Sequence, residues 1–519
     1  MNVVWFKRDL RITDHRPLYE AAERGEILCL YIAEPDYWQL PDTSARQWMA
    51  IAESLVELDD MLKKNYGMAL TIRTGDAVEV FKELNSTKNI TAIYSHEETG
   101  NFWTYGRDKR VGQFCKDNAV TWHEYAQFGI FRNLRNRDQW AARWEAFMGQ
   151  PLTAAPDRVR AIELSPGRMP ECKDLGLNLD LCPERQKGGR KAGLALLESF
   201  LNGRGINYQF EMSSPLSAPK ACSRLSLHIA LGTLSLREIF QRCEQTRRIL
   251  FDMPDMARPI SLRSLNAFIA RLHWHCHFMQ KLESEPEIEF RSVHPLHEAD
   301  RRITAPSDPV LMAWIEGQTG YPFVDACMRF LAHTGWINFR MRAMLMSFAT
   351  YHLALDWAVA GAALARRFTD YEPGIHWPQV QMQAGQTGIN TPRIYNPLKQ
   401  SLDQDPGAIF ISQWVPELAH LPLAFRHEPW LISSAEEIIY GVSLGVDYPN
   451  RIVDHENAAQ VARARLTAIR DKPGYRASGQ KVFLKHGSRK KMASHIYAKT
   501  SKLAALSEEH QDRQMILDL

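Results

Sequence analysis

The chain has 519 residues, more than one hydrophobic core usually serves, so its length predicts two or more domains. Its 63 Lys and Arg residues against 60 Asp and Glu leave a formal net charge of +3, and 45% of its residues are hydrophobic; together these values exclude a disordered chain and a strongly basic, histone-like protein. No apolar run approaches the roughly 20 residues that cross a bilayer, and the N-terminus lacks the pattern of a secretory signal, so we expect a cytoplasmic protein without a membrane segment.

Cysteine and tryptophan usage narrows the class of protein further. The eight cysteines contain no CxxC pair, which predicts reduced thiols and argues against a disulfide framework or a zinc ribbon. The 14 tryptophans allow two interpretations. They fill large cores, or they serve flat ligands, interfaces and electron paths.

The first part of the chain alternates short apolar runs with amphipathic segments. Trp48, Ile51, Leu55, Leu58 and Leu62 form the stripe of an amphipathic helix. Buried strands are predicted at 2–6, 27–33, 69–74, 92–96 and 121–125. Strands that alternate with helices predict a doubly wound parallel sheet over residues 1–130. The first strand runs into FKRDLRITD, which has no glycine-rich turn, so ordinary NAD or FAD binding by this part is not expected.

The remaining chain divides into three parts. Residues 131–188 are rich in Pro, Gly and charge and predict a connector, partly helical at 138–147. Residues 189–470 repeat at helical spacing, for example at 192–201, 311–331 and 341–357, and predict an all-helical domain. Residues 471–519 form a basic extension, either a solvated tail or a polyanion-binding one. Between 471 and 502, Asp471 stands against nine basic residues: Lys472, Arg476, Lys481, Lys485, Arg489, Lys490, Lys491, Lys499 and Lys502.

Three constellations could carry chemistry, although the usual hydrolase, phosphate-loop and metalloprotease signatures are missing. In RLHWHCHF only His273 and His277 share a helical face, so we expect no metal site and interpret the imidazoles as pocket or core groups. Ser223, Arg224 and Ser226 before a helix either cradle a diphosphate or form an ordinary cap. Arg342 and Asp370 could form a buried ion pair beside a redox-active ring.

Four segments carry a family resemblance. They are VVWFKRDLRITDH, SRLSLHIALGTLSLREI, GQTGYPFVDACMRFLAHTGWINFRMRAML and RIYNPLKQSLDQDPGAIFISQWVPELAHLP. They occur in order over about residues 1–460, and each resembles the matching segment of the cryptochrome/photolyase family, in an atypical, bacterial photolyase-like branch. The resemblance implies an antenna domain at 1–130 and an FAD-binding helical domain at 189–470. It also implies FAD as cofactor and allows an antenna chromophore, for which folate, deazaflavin, a second flavin and none all remain open.

The resemblance implies site residues one position at a time. The residues expected around FAD are Tyr208, Ser223, Arg224, Leu225, Ser226, Phe268, His275, Phe339, Arg342, Asp370 and Glu372. Trp274 matches the residue that stacks on a pyrimidine dimer flipped out of DNA, and with Arg271, Arg342 and Asp370 it forms the expected catalytic set. Base–aromatic stacking contributes about 1–3 kcal/mol per base.

Several positions depart from the family pattern. Arg271 stands where dimer photolyases have a Glu, Phe339 where they have an Asn facing the flavin, and Glu372 where a second Asp is common. The tryptophan relay keeps Trp357 as its middle member. Its flavin-proximal place is Val380 and its outer place falls near Thr304, so Trp377, Trp336 or a tyrosine is expected to serve instead.

These departures leave three functional hypotheses. The first is blue-light repair of pyrimidine dimers in DNA by a monomeric lyase through electron transfer from reduced FAD. The second is a cryptochrome-type photoreceptor without repair activity, which Arg271 and Phe339 favour. The third is a flavoprotein scaffold that has lost its photochemistry. The sequence leaves open the lesion type, cyclobutane or 6-4, and the preference for single or double strands.

Overall fold

The first part of the chain is a parallel sheet. The computed structural model describes residues 1–489. Its main strands, in the spatial order β3-β2-β1-β4-β5, are parallel. Their bounds are β1 Asn2–Phe6, β2 Glu26–Ala33, β3 Thr71–Thr74, β4 Ala92–His96 and β5 Thr121–Tyr125. The predicted doubly wound fold is confirmed, because apolar runs buried on both faces, such as Val3 and Val4, read directly as central parallel strands.

Helices cover both faces of this sheet, and local signals set their ends. Asp76 caps α4 by accepting from the backbone N–H of Val78, and α3 stops at Gly67, whose φ of 66° few other residues adopt without strain. The helices beside the sheet are α1 Arg16–Glu23, α2 Pro35–Trp38, α3 Ala45–Tyr66, α4 Ala77–Lys88 and α5 Phe102–Asp117, whereas α6 Trp140–Met148 packs into the core of the helical part of the chain. The chain winds in opposite directions on either side of β1, so a crevice opens at the carboxyl end of that strand, where ligands bind in such folds.

The connector contributes to the sheet, which its composition did not predict. Arg160–Ala161 forms a short strand, β6, that pairs in parallel with Glu26 and Ile27 of β2. Farther along, the backbone carbonyl of Leu175 accepts a hydrogen bond from the Gln39 side chain at 2.7 Å. The helix expected at 138–147 is α6, at Trp140–Met148.

The second part of the chain is helical, as predicted. Its α-helices are α7 Arg190–Ser199, α8 Tyr208–Glu211, α9 Ala218–Ala221, α10 Ser226–Ala230, α11 Leu236–Phe251, α12 Leu262–Ser284, α13 Pro295–Glu298, α14 Pro309–Glu316, α15 Pro322–Thr334, α16 Phe339–Ser347, α17 Trp357–Arg367, α18 Pro373–Gln383, α19 Pro397–Gln404, α20 Ile409–Trp414, α21 Leu423–His427, α22 Ser434–Tyr440, α23 His455–Arg470 and α24 Tyr475–His486.

Two of the periodic segments are not single helices. Segment 311–331 spans α14 and α15, because Gly317 ends the first helix in the left-handed region and Pro322 begins the second. Segment 341–357 spans α16, a wider turn at Phe348–His352 and the start of α17, which Asp356 caps. The hydrophobic spacing continues through both breaks because the helices on either side of each break bury their apolar residues in the same core.

The basic extension is partly docked against the helical domain. In α24, Lys485 and His486 both contact Glu285, at 2.8 and 2.6 Å, and just beyond it Arg489 binds Asp138 at 2.6 Å. These basic residues are therefore engaged with the protein itself. Lys490, Lys491, Lys499 and Lys502 lie outside the described residues.

The core explains part of the tryptophan content. Trp5, Trp48 and Trp314 are at most 1% exposed and fill the interior of the two parts. Each of the eight cysteines is a free thiol. Among residues 1–489, none of the helices combines the length and the apolar character that crossing a membrane requires.

Candidate FAD and substrate site

Helix α12 carries one side of the candidate site. Phe268, Arg271 and His275 lie three and four residues apart and share a helical face, while Trp274 lies on the neighbouring face. Phe268 is buried against Phe200, with ring centres 4.8 Å apart, whereas the other three side chains are half-buried. The helix therefore presents Arg271, Trp274 and His275, all half-buried, beside the buried Phe268.

Arg342 and Asp370 form the expected ion pair. The Arg342 Nη2 donates to both carboxylate oxygens of Asp370, at 3.0 and 2.8 Å, and its Nε donates to the carbonyl of Ile337. Asp370 is 5% exposed, and the Arg342 guanidinium lies 4.0 Å from the centre of the Phe368 ring. The Arg342 guanidinium thus contacts Asp370, the Ile337 carbonyl and the Phe368 ring, and these contacts fix the positions of both charges.

The segment before α10 is a strained turn. Arg224 has a φ of 60°, unusual for a residue other than glycine, and it is held there by its partners. Gln186 donates to the Arg224 carbonyl at 2.8 Å and accepts from its guanidinium, which stacks on Trp336 at 4.1 Å. Burial lowers the pKa of Arg224 to about 10.

The other residues expected around FAD near Arg224 differ in how deeply they are buried. Leu225 is 1% exposed and anchors the turn, while Ser223 is half-buried and Ser226 is an exposed first residue of α10. Tyr208 is buried edge-on against Phe200 and Phe268. The hydroxyls of Ser223 and Ser226 and the guanidinium of Arg224 therefore lie close in sequence to the buried side chain of Leu225.

Glu372 has a partner that sequence reasoning missed. Arg8, in the turn after β1, pairs with both carboxylate oxygens of Glu372, with its Nη1 3.1 Å from Oε1 and its Nη2 3.0 Å from Oε2. Burial raises the pKa of Glu372 to about 7 in spite of this cation. The sequence did contain a signal for a functional role of Arg8, because Arg8 lies just after β1, the strand at which the winding of the chain reverses.

Two buried polar atoms at the site have no partner among the described residues. They are His275 Nε2 and Asn338 Oδ1. Burial lowers the pKa of His275 to about 3, so its imidazole is neutral at physiological pH. Buried polar atoms are almost always hydrogen-bonded, so these two atoms together with the fixed cations fit a ligand that has hydroxyl, carbonyl and phosphate groups, as FAD does.

Phe339 and Arg271 are in contact with each other. The Arg271 guanidinium lies 5.9 Å from the centre of the Phe339 ring and 3.7 Å from the sulfur of Met212. Phe339 is the first residue of α16 and is 43% exposed. Asn338, the residue before it, turns inward and donates to the carbonyls of Met212 and Ser213.

Two of the three candidate relay tryptophans are close together. The rings of Trp357 and Trp377 are perpendicular, with centres 6.4 Å apart. Trp377 Nε1 donates to the hydroxyl of Tyr371 at 3.0 Å, and that hydroxyl in turn donates to Asp42. The ring of Trp336 instead stacks on the Arg224 guanidinium.

A small cavity of about 70 Å³ lies between the sheet and the helical domain. Its wall includes Trp5, Tyr31, Tyr37, Trp38 and Tyr371. The charged groups beside it are already paired, since Arg107 binds Glu34 at 3.0 Å and Glu98 at 2.6 Å. The cavity therefore has aromatic walls, and the charged groups at its edge are held in ion pairs.

Asp9, His15 and His96 could in principle hold a metal ion, because their ligand atoms lie within 4.8 Å of one another. Both imidazoles bind Asp9 Oδ2, at 2.9 and 2.7 Å, and its other oxygen accepts from the backbone of Lys7. Both oxygens of Asp9 therefore have partners within the protein. We interpret the cluster as a hydrogen-bond network that fixes the turn from which Arg8 projects.

Comparisons with known proteins agree with this geometry. The family model for DNA photolyase matches residues 2–139, and that for the FAD binding domain of DNA photolyase matches residues 268–468. Cryptochrome DASH of Gloeobacter violaceus is 30% identical over 499 residues, covering 90% of this chain and 95% of the relative. Deoxyribodipyrimidine photo-lyase of Escherichia coli is 28% identical over 503 residues, covering 90% and 99%.

Solved structures show the same relationship. The Synechocystis cryptochrome superposes with a TM-score of 0.78 at 25% identity, covering 89% of this chain and 98% of that one. The expectations of family, fold and FAD are thereby confirmed. The chain belongs to the cryptochrome/photolyase family and has its FAD-binding domain.

Proposed function

We propose that this protein repairs pyrimidine dimers in DNA, using blue light and reduced FAD. The observation that carries the proposal is Trp274, a half-buried ring on α12 one helical step from the stripe of Phe268, Arg271 and His275. A large aromatic side chain left accessible beside a cofactor stripe is suited to stacking on a base taken out of the helix. When bound and reduced, FAD would supply an electron for opening the dimer and would regain it once the two bases are restored.

Arg271 is the second substrate-contacting residue in this proposal. Its guanidinium offers hydrogen-bond donors only, so it can bind a lesion carbonyl or a phosphate, but it cannot accept a hydrogen bond as a carboxylate does. Its position over Phe339 keeps the guanidinium on the accessible side of α12. The repair chemistry we propose therefore stabilises developing negative charge on the dimer by a fixed cation.

The remaining site residues bind and orient FAD. Ser223, Arg224 and Ser226 offer hydroxyls and a cation for the diphosphate, and the Arg342–Asp370 pair presents a fixed dipole to the ring. Trp377 and Trp357 are the candidate path for electrons that reduce the flavin. Extraction of the purified protein, with pigments counted per FAD, tests whether an antenna chromophore is bound as well.

The decisive experiment uses two oligonucleotides, one with a cyclobutane dimer and one with a 6-4 product. The reduced protein is illuminated with each, and restored bases are counted against a dark control and against Trp274→Ala. We expect light-dependent repair of at least one lesion by the wild type and its loss in the variant. Lack of repair of both lesions by a protein whose FAD still responds to light would reject the proposal.

A photoreceptor without repair activity is the second candidate. The contact between Arg271 and Phe339 favours it, because it pairs a cation with an apolar ring where repair enzymes of the family have polar groups. The same illumination experiment distinguishes the two. A photoreceptor would change its FAD absorbance and its conformation in light while leaving both lesions intact.

A further inference from the structure

A cavity of about 200 Å³ lies in the helical domain, between the turn Phe348–His352, the start of α17 and α23. Leu355, Val461, Leu466 and Ile469 provide apolar wall, and the ring of Trp357 closes one side. Of the residues expected around FAD or substrate, only the relay residue Trp357 takes part in this wall. The cavity is therefore separate from the candidate FAD site.

Buried polar atoms of this wall lack partners. Trp357 Nε1, the Tyr351 hydroxyl and both ring nitrogens of His352 have no hydrogen-bond partner among residues 1–489. The three residues are 3%, 7% and 4% exposed. Leaving such atoms unpaired costs about 1–3 kcal/mol each, so a wall with several of them points to a missing ligand. Because an indole N–H only donates, the ligand must offer an acceptor.

Two of the three arginines at the rim are paired with carboxylates, and the third has no such partner among the described residues. Arg301 binds Asp356 at 2.7 Å, and Arg465 binds Asp300 at 2.6 Å. Arg302 lines the cavity, is exposed, and forms no ion pair within the described part of the chain. Burial lowers the pKa of His352 to about 4, so the unpaired positive charge here comes from Arg302. Of the two carboxylates in the wall, Asp356 pairs with Arg301, and Asp454 caps α23 and lies 3.8 Å from Arg451.

The volume limits the ligand to one ring. A cavity of about 150 Å³ is enough for benzene, and sites for drug-sized molecules begin at about 300 Å³. We propose that this cavity binds a small anionic molecule with a single ring, whose ring packs on Leu355 and Leu466 and whose acidic group faces Arg302 and the Trp357 N–H. This ligand differs from FAD and from DNA, and its binding requires no light.

Benzoate is the probe, and benzamide is its uncharged match in shape. Both are titrated in the dark into the full-length, FAD-loaded protein, by calorimetry and by tryptophan fluorescence, to which Trp357 contributes. We expect saturable binding of benzoate with a Kd near or below about 1 mM, at least about tenfold weaker binding of benzamide, and a rise in the melting temperature with benzoate only.

Two variants and a control locate the site. Arg302→Gln removes an exposed charge, so folding is not at issue, and it should weaken benzoate binding about tenfold. Ala458→Phe adds a ring to the cavity wall and should abolish binding. Arg248→Gln, at an exposed arginine on α11, should change nothing. Equal affinity for benzamide, equal affinity in Arg302→Gln, or no saturable binding up to about 10 mM would each overturn the proposal.

Discussion

Arg8 and Glu372 join the two parts of the chain, because the guanidinium of the first pairs with both carboxylate oxygens of the second across 364 positions of sequence. Arg8 also donates to the backbone carbonyls of Ala230 and Tyr371. One side chain from the turn after β1 thus fixes the start of α18, directly after the Asp370 that binds Arg342.

Replacement of Arg8 by Gln should destabilise the protein in a pH-dependent way. Glu372 would lose its cation while remaining buried, which costs about 1–3 kcal/mol. The pKa of Glu372 is about 7 in the folded protein, above its ordinary value of 4.5, so this group already favours folding at low pH and disfavours it as the pH rises. Without Arg8 that pKa rises further.

The measurement is the free energy of unfolding at pH 6 and pH 8. The decrease in the free energy of unfolding caused by Arg8→Gln should be larger at pH 8, because at that pH Arg8 of the wild type pairs with a charged Glu372. Arg248→Gln serves as a control for the loss of one arginine at an exposed position. A loss that is equal at both pH values would mean that Glu372 does not carry the effect.

Arg342→Gln should release FAD. The two-oxygen ion pair with Asp370 would be lost and a buried carboxylate left alone, and charge-assisted hydrogen bonds of this kind contribute about 1.5–3 kcal/mol, which is tenfold or more in affinity. The ratio of flavin absorbance to protein absorbance after dialysis measures it. Arg366→Gln, an exposed arginine at the end of α17, should retain FAD fully.

Trp274→Ala should weaken binding of damaged DNA while leaving FAD in place. Removal of one stacking ring costs about 1–3 kcal/mol, or roughly tenfold to hundredfold in Kd. Binding is measured with dimer-containing and undamaged oligonucleotides of the same sequence, with salt held constant. An equal loss for both DNAs would show that the residue contributes to general DNA contact and does not recognise the lesion. Trp430→Ala, another half-buried tryptophan, is the matched control.

Trp377→Phe should slow photoreduction of the bound FAD. Phenylalanine keeps the packing against Trp357 but is far harder to oxidise, and it loses the hydrogen bond to Tyr371. The rate is followed by flavin absorbance under constant illumination with an external reductant. Trp336→Phe is the comparison, and it should affect FAD retention through Arg224 more than the rate. An unchanged rate in Trp377→Phe would exclude the pair as the electron path.

The buried histidines should make the protein sensitive to acid. Burial lowers the pKa of His96 to about 3, so its charged form is favoured only after unfolding, and stability is lost as the pH falls below the unfolded value of 6.5. By linkage this residue costs about 1.4 kcal/mol between pH 7.5 and pH 5.5. His96→Asn keeps a donor toward Asp9 but does not titrate, so its unfolding free energy should fall less over the same range.

Much of the fold was predictable because it depends on local patterns. The strands ending at Phe6 and Ala33 are apolar runs bounded by polar turns, and α3 carries its stripe every three or four residues. Such patterns are read within one element, so their accuracy does not depend on what the element packs against. The breaks at Gly317 and after His352 were missed because the helices on either side of each break bury apolar residues in the same core, so the hydrophobic spacing is not interrupted.

The candidate site was predictable only in part. The ion pair of Arg342 with Asp370 was expected and is present, whereas Gln186, which holds the strained Arg224, was not. A glutamine in a connector of mixed composition has no periodicity or motif to mark it. The pairing of β6 with β2 escaped for the same reason, since a two-residue strand carries no pattern.

The sequence by itself determined the fold class, the family and the cofactor that the family binds, because these follow from residue patterns within continuous stretches. The tryptophans show what it could not determine. Their number was evident, but only the tertiary structure placed Trp5, Trp48, Trp314 and the Trp357–Trp377 pair in the cores and left Trp274 half-buried on α12. Likewise the Arg8–Glu372 contact and the cavity beside Trp357 arise from surfaces hundreds of residues apart, whose distances are set by packing and not by any local periodicity.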